Sequence, residues 1–118
     1  TEDAVLKLMA KPSFRLFERL RLEFDDIVRS SGKKCELVPY FISGHPGCGM
    51  REMQKLAAKP ALRGLYMEQV QDFTPTPMTT SSVMFYTGLD PKGLQKVFVE
   101  RDIQRKKEQK SFFFRRGK

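Results

Sequence analysis

The sequence has few of the residues from which metal sites are built. It contains two cysteines, Cys35 and Cys48, and one histidine, His45. Iron–sulfur clusters are held by clustered cysteines, and a structural zinc site needs four ligands, chiefly Cys and His. We therefore assign no metal ligand and no catalytic residue within this chain. Nothing indicates a secreted disulfide framework, so two free thiols are favoured over a pairing of the cysteines.

Long apolar runs are also missing. No run approaches the roughly 20 residues that span a bilayer, and the first residues, TED, do not resemble a signal peptide. We expect no membrane association, and cytoplasmic residence follows as the default. The 118 residues, 40% of them hydrophobic, suffice for one folded core.

Positive charge is concentrated at the C-terminal end. The net charge is +8, and residues 100–118 supply +5 of it, with eight basic and three acidic residues. Phe112, Phe113 and Phe114 lie among these cations, a mixture that can bind phosphates and stack on bases. One hypothesis is therefore a nonenzymatic module that binds RNA or another polyanion. We favour a solvated helical tail whose phenylalanines dock on the core, because no recognised nucleic-acid motif accompanies the charge.

Two helices are predicted near the start of the chain. The first is short and must end before Pro12, because the residue before a proline avoids helical angles; three apolar residues share its face: Val5, Leu8 and Met9. The second starts at Pro12 or Ser13 and ends at Gly32. Its apolar face follows three- and four-residue steps: Phe14, Phe17, Leu20, Phe24, Ile27 and Val28.

A strand–helix–strand unit follows. Residues 37–42 are nearly all apolar, which is typical of a strand covered on both faces in a parallel sheet. Pro39 cannot donate to a sheet, so we expect an unpaired edge or a bulge there. Residues 67–73 form the second predicted strand, and a short amphipathic helix between Gly49 and Pro60 connects the two.

The loops after the two strands are expected to lie together. A right-handed crossover places residues 43–48 and 73–77 at the same end of the sheet, where both would line the mouth of one pocket. Beyond them, residues 79–82 offer caps for a helix that ends at Gly88, and residues 96–99 predict a short strand. Four side chains within residues 78–86 are interpreted as part of the hydrophobic core rather than as cofactor contacts: Met78, Met84, Phe85 and Tyr86.

Several motifs resemble the C-terminal part of the YgiQ-type radical S-adenosylmethionine proteins. They are TEDAVLKLM (residues 1–9), KPSF (11–14), VPYFISGHPGC (38–48), QVQDFTPTPMT (69–79) and YTGLDP (86–91). The similarity covers most of residues 1 to about 100. It implies an α/β fold, namely a βαβ fragment of a partial (β/α) barrel spanning residues 1–99, with residues 100–118 as a basic tail.

The resemblance also implies cofactors that this chain cannot hold alone. Members of that family use a four-iron four-sulfur cluster, bound through a Cys-x-x-x-Cys-x-x-Cys loop, to cleave S-adenosylmethionine into a radical that abstracts hydrogen from a substrate. That loop is absent here. We therefore interpret the chain as a piece of such an enzyme, inactive by itself, whose partner is the missing N-terminal half of the barrel. The substrate is unknown.

Five residues are implied to position the cofactor. By resemblance Ser43, Gly44 and His45 lie near the adenosine or methionine part of S-adenosylmethionine, and we add Gln71 and Thr74 as hydrogen-bonding groups in the second loop. The alternatives are a tight turn with a half-exposed histidine and an ordinary proline-stiffened connector. An isolated pair of strands also leaves unpaired edges, so we expect either self-association or a tail that folds inward.

Overall fold

Five helices and one two-stranded sheet make up the described part of the chain. The computed structural model describes residues 2–114. The elements are α1 (Asp3–Leu8), α2 (Phe14–Ser31), β1 (Tyr40–Ser43), α3 (Met50–Ala57), β2 (Gln69–Asp72), α4 (Thr80–Thr87) and α5 (Ile103–Phe114), with a 3-10 turn at Pro60–Leu62. Within residues 2–114 no helix has the length and apolar character needed to cross a membrane.

α1 and α2 are joined by an acidic cap. The Asp3 carboxylate accepts hydrogen bonds from the Phe14 backbone N–H and the Ser13 hydroxyl, both at 2.9 Å. The Phe14 N–H, followed by the Ser13 hydroxyl, holds the pKa of Asp3 below its ordinary value. Ser13 also caps α2, and Gly32 ends it with a left-handed φ of 65°. Both predicted helices are confirmed.

The apolar face of α2 is much less buried than its pattern indicates. Phe14 is buried, whereas Leu20 and Ile27 are 51% and 65% exposed. Leu16 and Leu22 are exposed as well. The pattern predicts a face that meets a core, but within the described residues no other element covers most of this one.

The sheet is parallel, as predicted, but its first strand begins later. β1 pairs with β2 in the register Tyr40 with Gln69 through Ser43 with Asp72. Pro39 is buried just ahead of the ladder, so it needs neither an edge nor a bulge. The predicted strand at 37–42 is therefore wrong in its first three residues.

The two faces of the sheet differ, which corrects the prediction that β1 is covered on both. Side chains alternate between faces along a strand. One face, called here the covered face, consists of Phe41, Ser43, Val70 and Asp72. The other, called the open face, consists of Tyr40, Ile42, Gln69 and Gln71. Tyr40 is 67% exposed and Ile42 44%, while Val70 is 6% exposed and Ser43 fully buried.

α3 and α5 pack on each other, and α5 also packs on the covered face. Met53 and Leu56 of α3 are buried, and the Phe113 ring stacks on Phe41 with centroids 4.8 Å apart. Burial of Phe113 confirms a docked helical tail as far as residue 114, although Phe114 remains 55% exposed. Residues 115–118 of the predicted tail lie outside the described residues. The division at residue 99 into barrel portion and tail stays a prediction.

One smaller prediction is wrong, and another is correct only in part. Residues 96–99 form no strand in the described chain; Lys96 makes only an isolated antiparallel bridge with Leu89. Of the four side chains interpreted as core, Met84 is buried and Phe85 half-buried, but Met78 and Tyr86 are exposed. Met78 has a positive φ of 65° in the turn before α4, and its side chain is fully exposed.

Candidate functional site

The two motif loops meet at the carboxyl end of the sheet, as predicted. The Phe73 N–H donates to the Ser43 carbonyl at 2.8 Å, one step beyond the last pair of the ladder. The Phe73 ring also meets the His45 ring edge-on at a centroid distance of 5.1 Å. The first residues of both loops therefore form one polar cluster above the strands.

Ser43 and Asp72 lie side by side in this cluster. The Ser43 hydroxyl lies 2.8 Å from Asp72 Oδ1 and 3.2 Å from the Gln71 carbonyl, while Lys110 Nζ reaches Asp72 Oδ2 at 2.7 Å. Burial alone would raise the pKa of Asp72. Hydrogen bonds from Lys110 and Ser43, with the charges of Lys110 and Lys106, outweigh burial and lower that pKa. Asp72 is therefore an ionised acceptor that orients Ser43.

Gly44 is held by the C-terminal helix. Its N–H donates to Gln109 Oε1 at 3.0 Å, across a sequence separation of 65 residues. Gly44 has a φ of 67°, a conformation that side-chain-bearing residues rarely adopt. A Cβ at this position would also lie 3.3 Å from Cε of Lys106. The positive φ favours glycine here, and a Cβ would also require the flexible Lys106 side chain to shift.

His45 is a buried, neutral hydrogen-bonding residue rather than the half-exposed histidine of the alternative interpretation. The residue is 3% exposed. Nδ1 lies 2.8 Å from the Pro46 carbonyl, which can only accept, so this nitrogen carries the proton. Nε2 then accepts from the Ser81 hydroxyl at 2.8 Å. Burial lowers the pKa of His45, and the Pro46 carbonyl offsets this only in part.

Gln71 and Thr74 lie apart from this cluster. Gln71 is exposed on the open face, where it lines an apolar groove of about 540 Å³ together with Leu20, Tyr40 and Ile42. Thr74 is exposed in the second loop, with a long 3.5 Å hydrogen bond to the Asp72 carbonyl. The structure thus brings Ser43, Gly44 and His45 together and leaves the other two predicted residues elsewhere.

The sequence analysis missed the contribution of α5. Three of its residues reach the cluster, Lys106, Gln109 and Lys110, and Phe113 anchors the helix. These positions follow steps of three and four residues, so they share one face. The sequence offers no signal that separates Gln109 from the exposed Gln104 of the same helix.

Metal-binding groups are missing from the part of the chain that the structure describes. Residues 2–114 contain no cluster of three His, Cys, Asp or Glu side chains that could hold an ion. Cys35 is exposed, Cys48 is buried, and no disulfide joins them within this range. An iron–sulfur cluster therefore does not fit the described residues.

Comparison with known proteins identifies long relatives of unassigned function. A family model described as "Domain of unknown function (DUF3362)" matches residues 68–116, which include β2, α4 and α5. UPF0313 proteins from Bacteroides thetaiotaomicron and Porphyromonas gingivalis are 45% and 44% identical over 114 residues, covering 97% of this chain and 18% of each relative. A UPF0313 protein from Methanosarcina acetivorans is 43% identical over 113 residues, covering 96% of the chain and 15% of the relative. The chain thus spans less than a fifth of these relatives, which are bacterial and archaeal. No solved structure matches it.

Proposed function

We propose that this chain is a segment of a UPF0313-type protein that acts as a radical S-adenosylmethionine enzyme. The segment supplies two late strands of a partial (β/α) barrel, β1 and β2, and the loops that shape one side of the cofactor pocket. Support comes from sequence identities of 45% and 43%, over nearly the whole chain, to proteins at least five times longer. The motif resemblance also supports the proposal.

One observation carries the proposal. Two adjacent parallel strands deliver their loops to the same carboxyl edge, joined by the hydrogen bond from Phe73 to Ser43. In open and closed α/β sheets this edge is where ligands bind, because the sheet fixes loops that carry the polar groups.

The open face supports the same assignment. Helices cover one side of this sheet, while Tyr40, Ile42 and Gln71 stand on the other without a covering layer in the described chain. In a (β/α) barrel the helices lie outside and the opposite face looks inward. The partner that completes the open face is therefore the missing N-terminal half of the parent barrel.

The cofactors and this segment have different roles in the proposed enzyme. The cluster and S-adenosylmethionine supply the radical chemistry when bound, and cluster ligands must come from the rest of the parent, since the described residues offer none. Ser43, Gly44 and His45 fix the shape of the wall, because their polar groups are already engaged within the protein. Gln71 and Thr74, both exposed, contact the ligand.

The direct test uses the full-length parent protein, reconstituted with iron and sulfide without oxygen. Formation of 5′-deoxyadenosine from S-adenosylmethionine under reducing conditions is the readout. The wild type is expected to produce it, the present segment alone is not, and Gln71→Ala should weaken cofactor binding about tenfold. Gln54→Ala, an exposed glutamine on α3, is the matched control. A cluster-loaded parent that forms no 5′-deoxyadenosine contradicts the proposal.

The polyanion-binding alternative has less support. Lys110 is paired with Asp72, and Lys106 Nζ lies 5.2 Å from the centre of the Phe85 ring, so two of the tail cations have partners inside the molecule. Removal of residues 103–118 would also remove part of the core. The sharper test replaces the exposed Arg105 and Lys107 by glutamine and measures RNA binding against salt concentration.

A further inference from the structure

We infer that Gln109 is a positioning residue that fixes the loop after β1, so that α5 is a working part of the candidate site. The inference rests on the proposed function for its biological meaning, since it concerns the same loop. It rests on geometry for everything else.

The contact between Gln109 and Gly44 is built into the interior. Gln109 is fully buried, and its Oε1 receives the Gly44 N–H at the point where the chain leaves the sheet with a positive φ. A backbone N–H can only donate, so the orientation of the Gln109 amide is determined: oxygen toward Gly44, Nε2 away.

The nitrogen of the Gln109 amide differs from its oxygen. Nε2 of Gln109 is buried and has no hydrogen-bond partner within residues 2–114. The Gln109 amide therefore contributes its hydrogen bond to Gly44 within this range, and a substitution that removes the amide oxygen removes that contact.

A second contact from α5 acts in the same direction. Lys110 holds Asp72, and Asp72 receives the Ser43 hydroxyl. Adjacent residues of α5 thus fix adjacent residues of the loop. Gln109 holds Gly44 directly, and Lys110 holds Ser43 by way of Asp72. The helix is anchored by Phe113 on Phe41, which keeps both contacts in register with β1.

The test compares two variants of the full-length parent protein by hydrogen exchange of peptides covering residues 43–49. Gln109→Met keeps the length of the side chain and removes the acceptor. Gln104→Met makes the same chemical change at an exposed glutamine of the same helix and is the control.

Gln109→Met is expected to speed exchange in the loop about tenfold, with α3 and β2 unchanged. Gln104→Met should exchange like the wild type. Equal exchange in Gln109→Met and the wild type, or equal acceleration throughout α3 and β2, would each overturn the inference.

Binding of S-adenosylmethionine to the same proteins separates this inference from the proposed function. If the wild type binds, Gln109→Met should bind about tenfold more weakly and Gln104→Met normally. If the wild type does not bind, the proposed function fails, while the exchange measurements still decide whether Gln109 positions the loop.

Discussion

The covered and open faces of the sheet are built from neighbouring residues of the same two strands, yet their surroundings are opposite. Phe41, Ser43 and Val70 lie against α5 and the core, whereas Tyr40 and Ile42 face outward next to the exposed leucines of α2. The chain supplies everything that the covered face needs, including a polar cluster whose groups are largely paired. Within residues 2–114 no layer of helices covers the open face in the same way. Under the proposed function, the layer that covers it belongs to another part of the parent protein.

The largest expected effect separates two adjacent phenylalanines of α5. Phe113→Ala should lower the free energy of unfolding of the 118-residue chain by about 3–5 kcal/mol, because a buried ring stacked on Phe41 is lost. Phe114→Ala, at a 55% exposed position, should cost less than about 1 kcal/mol. Urea denaturation measures both, and equal losses would show that α5 is not docked as described.

A comparison across the sheet comes next. Val70→Ser on the covered face should destabilise the chain by about 2 kcal/mol, through lost apolar burial and a newly buried hydroxyl. Ile42→Ser on the open face should change stability by less than about 0.5 kcal/mol. In the full-length parent the cost of Ile42→Ser should rise to that of a core position. An unchanged cost there argues against burial of the open face.

The hydrogen bond between His45 and Ser81 gives a smaller effect. Ser81→Ala should cost about 1 kcal/mol in the unfolding free energy because His45 Nε2 loses its donor inside the protein. Thr80→Ala, at the neighbouring exposed position, is the control and should stay within about 0.5 kcal/mol. Equal values for the two variants would mean that the contact with Ser81 is not formed.

Acid is expected to lower the stability of the fold through protonation of His45. Burial lowers the pKa of His45 in the fold, so the neutral form is favoured there. Its contribution is complete above the unfolded pKa of about 6.5 and is lost as pH falls through the lower folded pKa. His45 is the only histidine in the chain, so His45→Gln should flatten the fall in melting temperature between about pH 7 and pH 5. A wild-type profile that is already flat contradicts a depressed pKa.

The smallest expected effect concerns the ion pair at the site. Asp72→Asn should cost less than about 1 kcal/mol near neutral pH, because the Asp72 side chain is 42% exposed and solvent screens its attraction to Lys110. The folded pKa of Asp72 is lowered, so its contribution is present above the unfolded pKa of about 4 and is lost as pH falls through the folded value. Unfolding of wild type and variant at pH 6 and pH 3 checks this, with Glu68→Gln as an exposed control. A difference that grows in acid has the wrong sign for this account.

Local features of the fold could be predicted from the sequence because short-range chemistry determines them. Ser13 and Gly32 delimit α2, Thr79 and Gly88 delimit α4, and apolar runs ending in Gly/Pro turns indicate two parallel strands whose loops meet. The burial of these elements could not be predicted in the same way. The apolar face of α2 and the nearly continuous apolar run of β1 both indicate coverage that residues 2–114 do not provide.

The candidate site was predictable on the loop side and not on the helix side. Ser43, Gly44 and His45 stand out because polar and glycine residues follow a strand abruptly. Gln109 and Lys110 have no such context, since a charged amphipathic helix far along the chain looks the same whether it is solvated or docked. Their roles depend on a contact across 65 residues, and sequence periodicity carries no information about which element a helix meets.

The central claim, that the open face of this segment is covered by the rest of a longer protein, is tested most directly at Tyr40. Hydroxyl-radical oxidation of Tyr40 should be rapid in the 118-residue chain, where the residue is 67% exposed, with Tyr66 at 63% as an internal reference. In the full-length parent protein the account predicts that oxidation of Tyr40 falls several-fold. Equal oxidation of Tyr40 in the two proteins would contradict it.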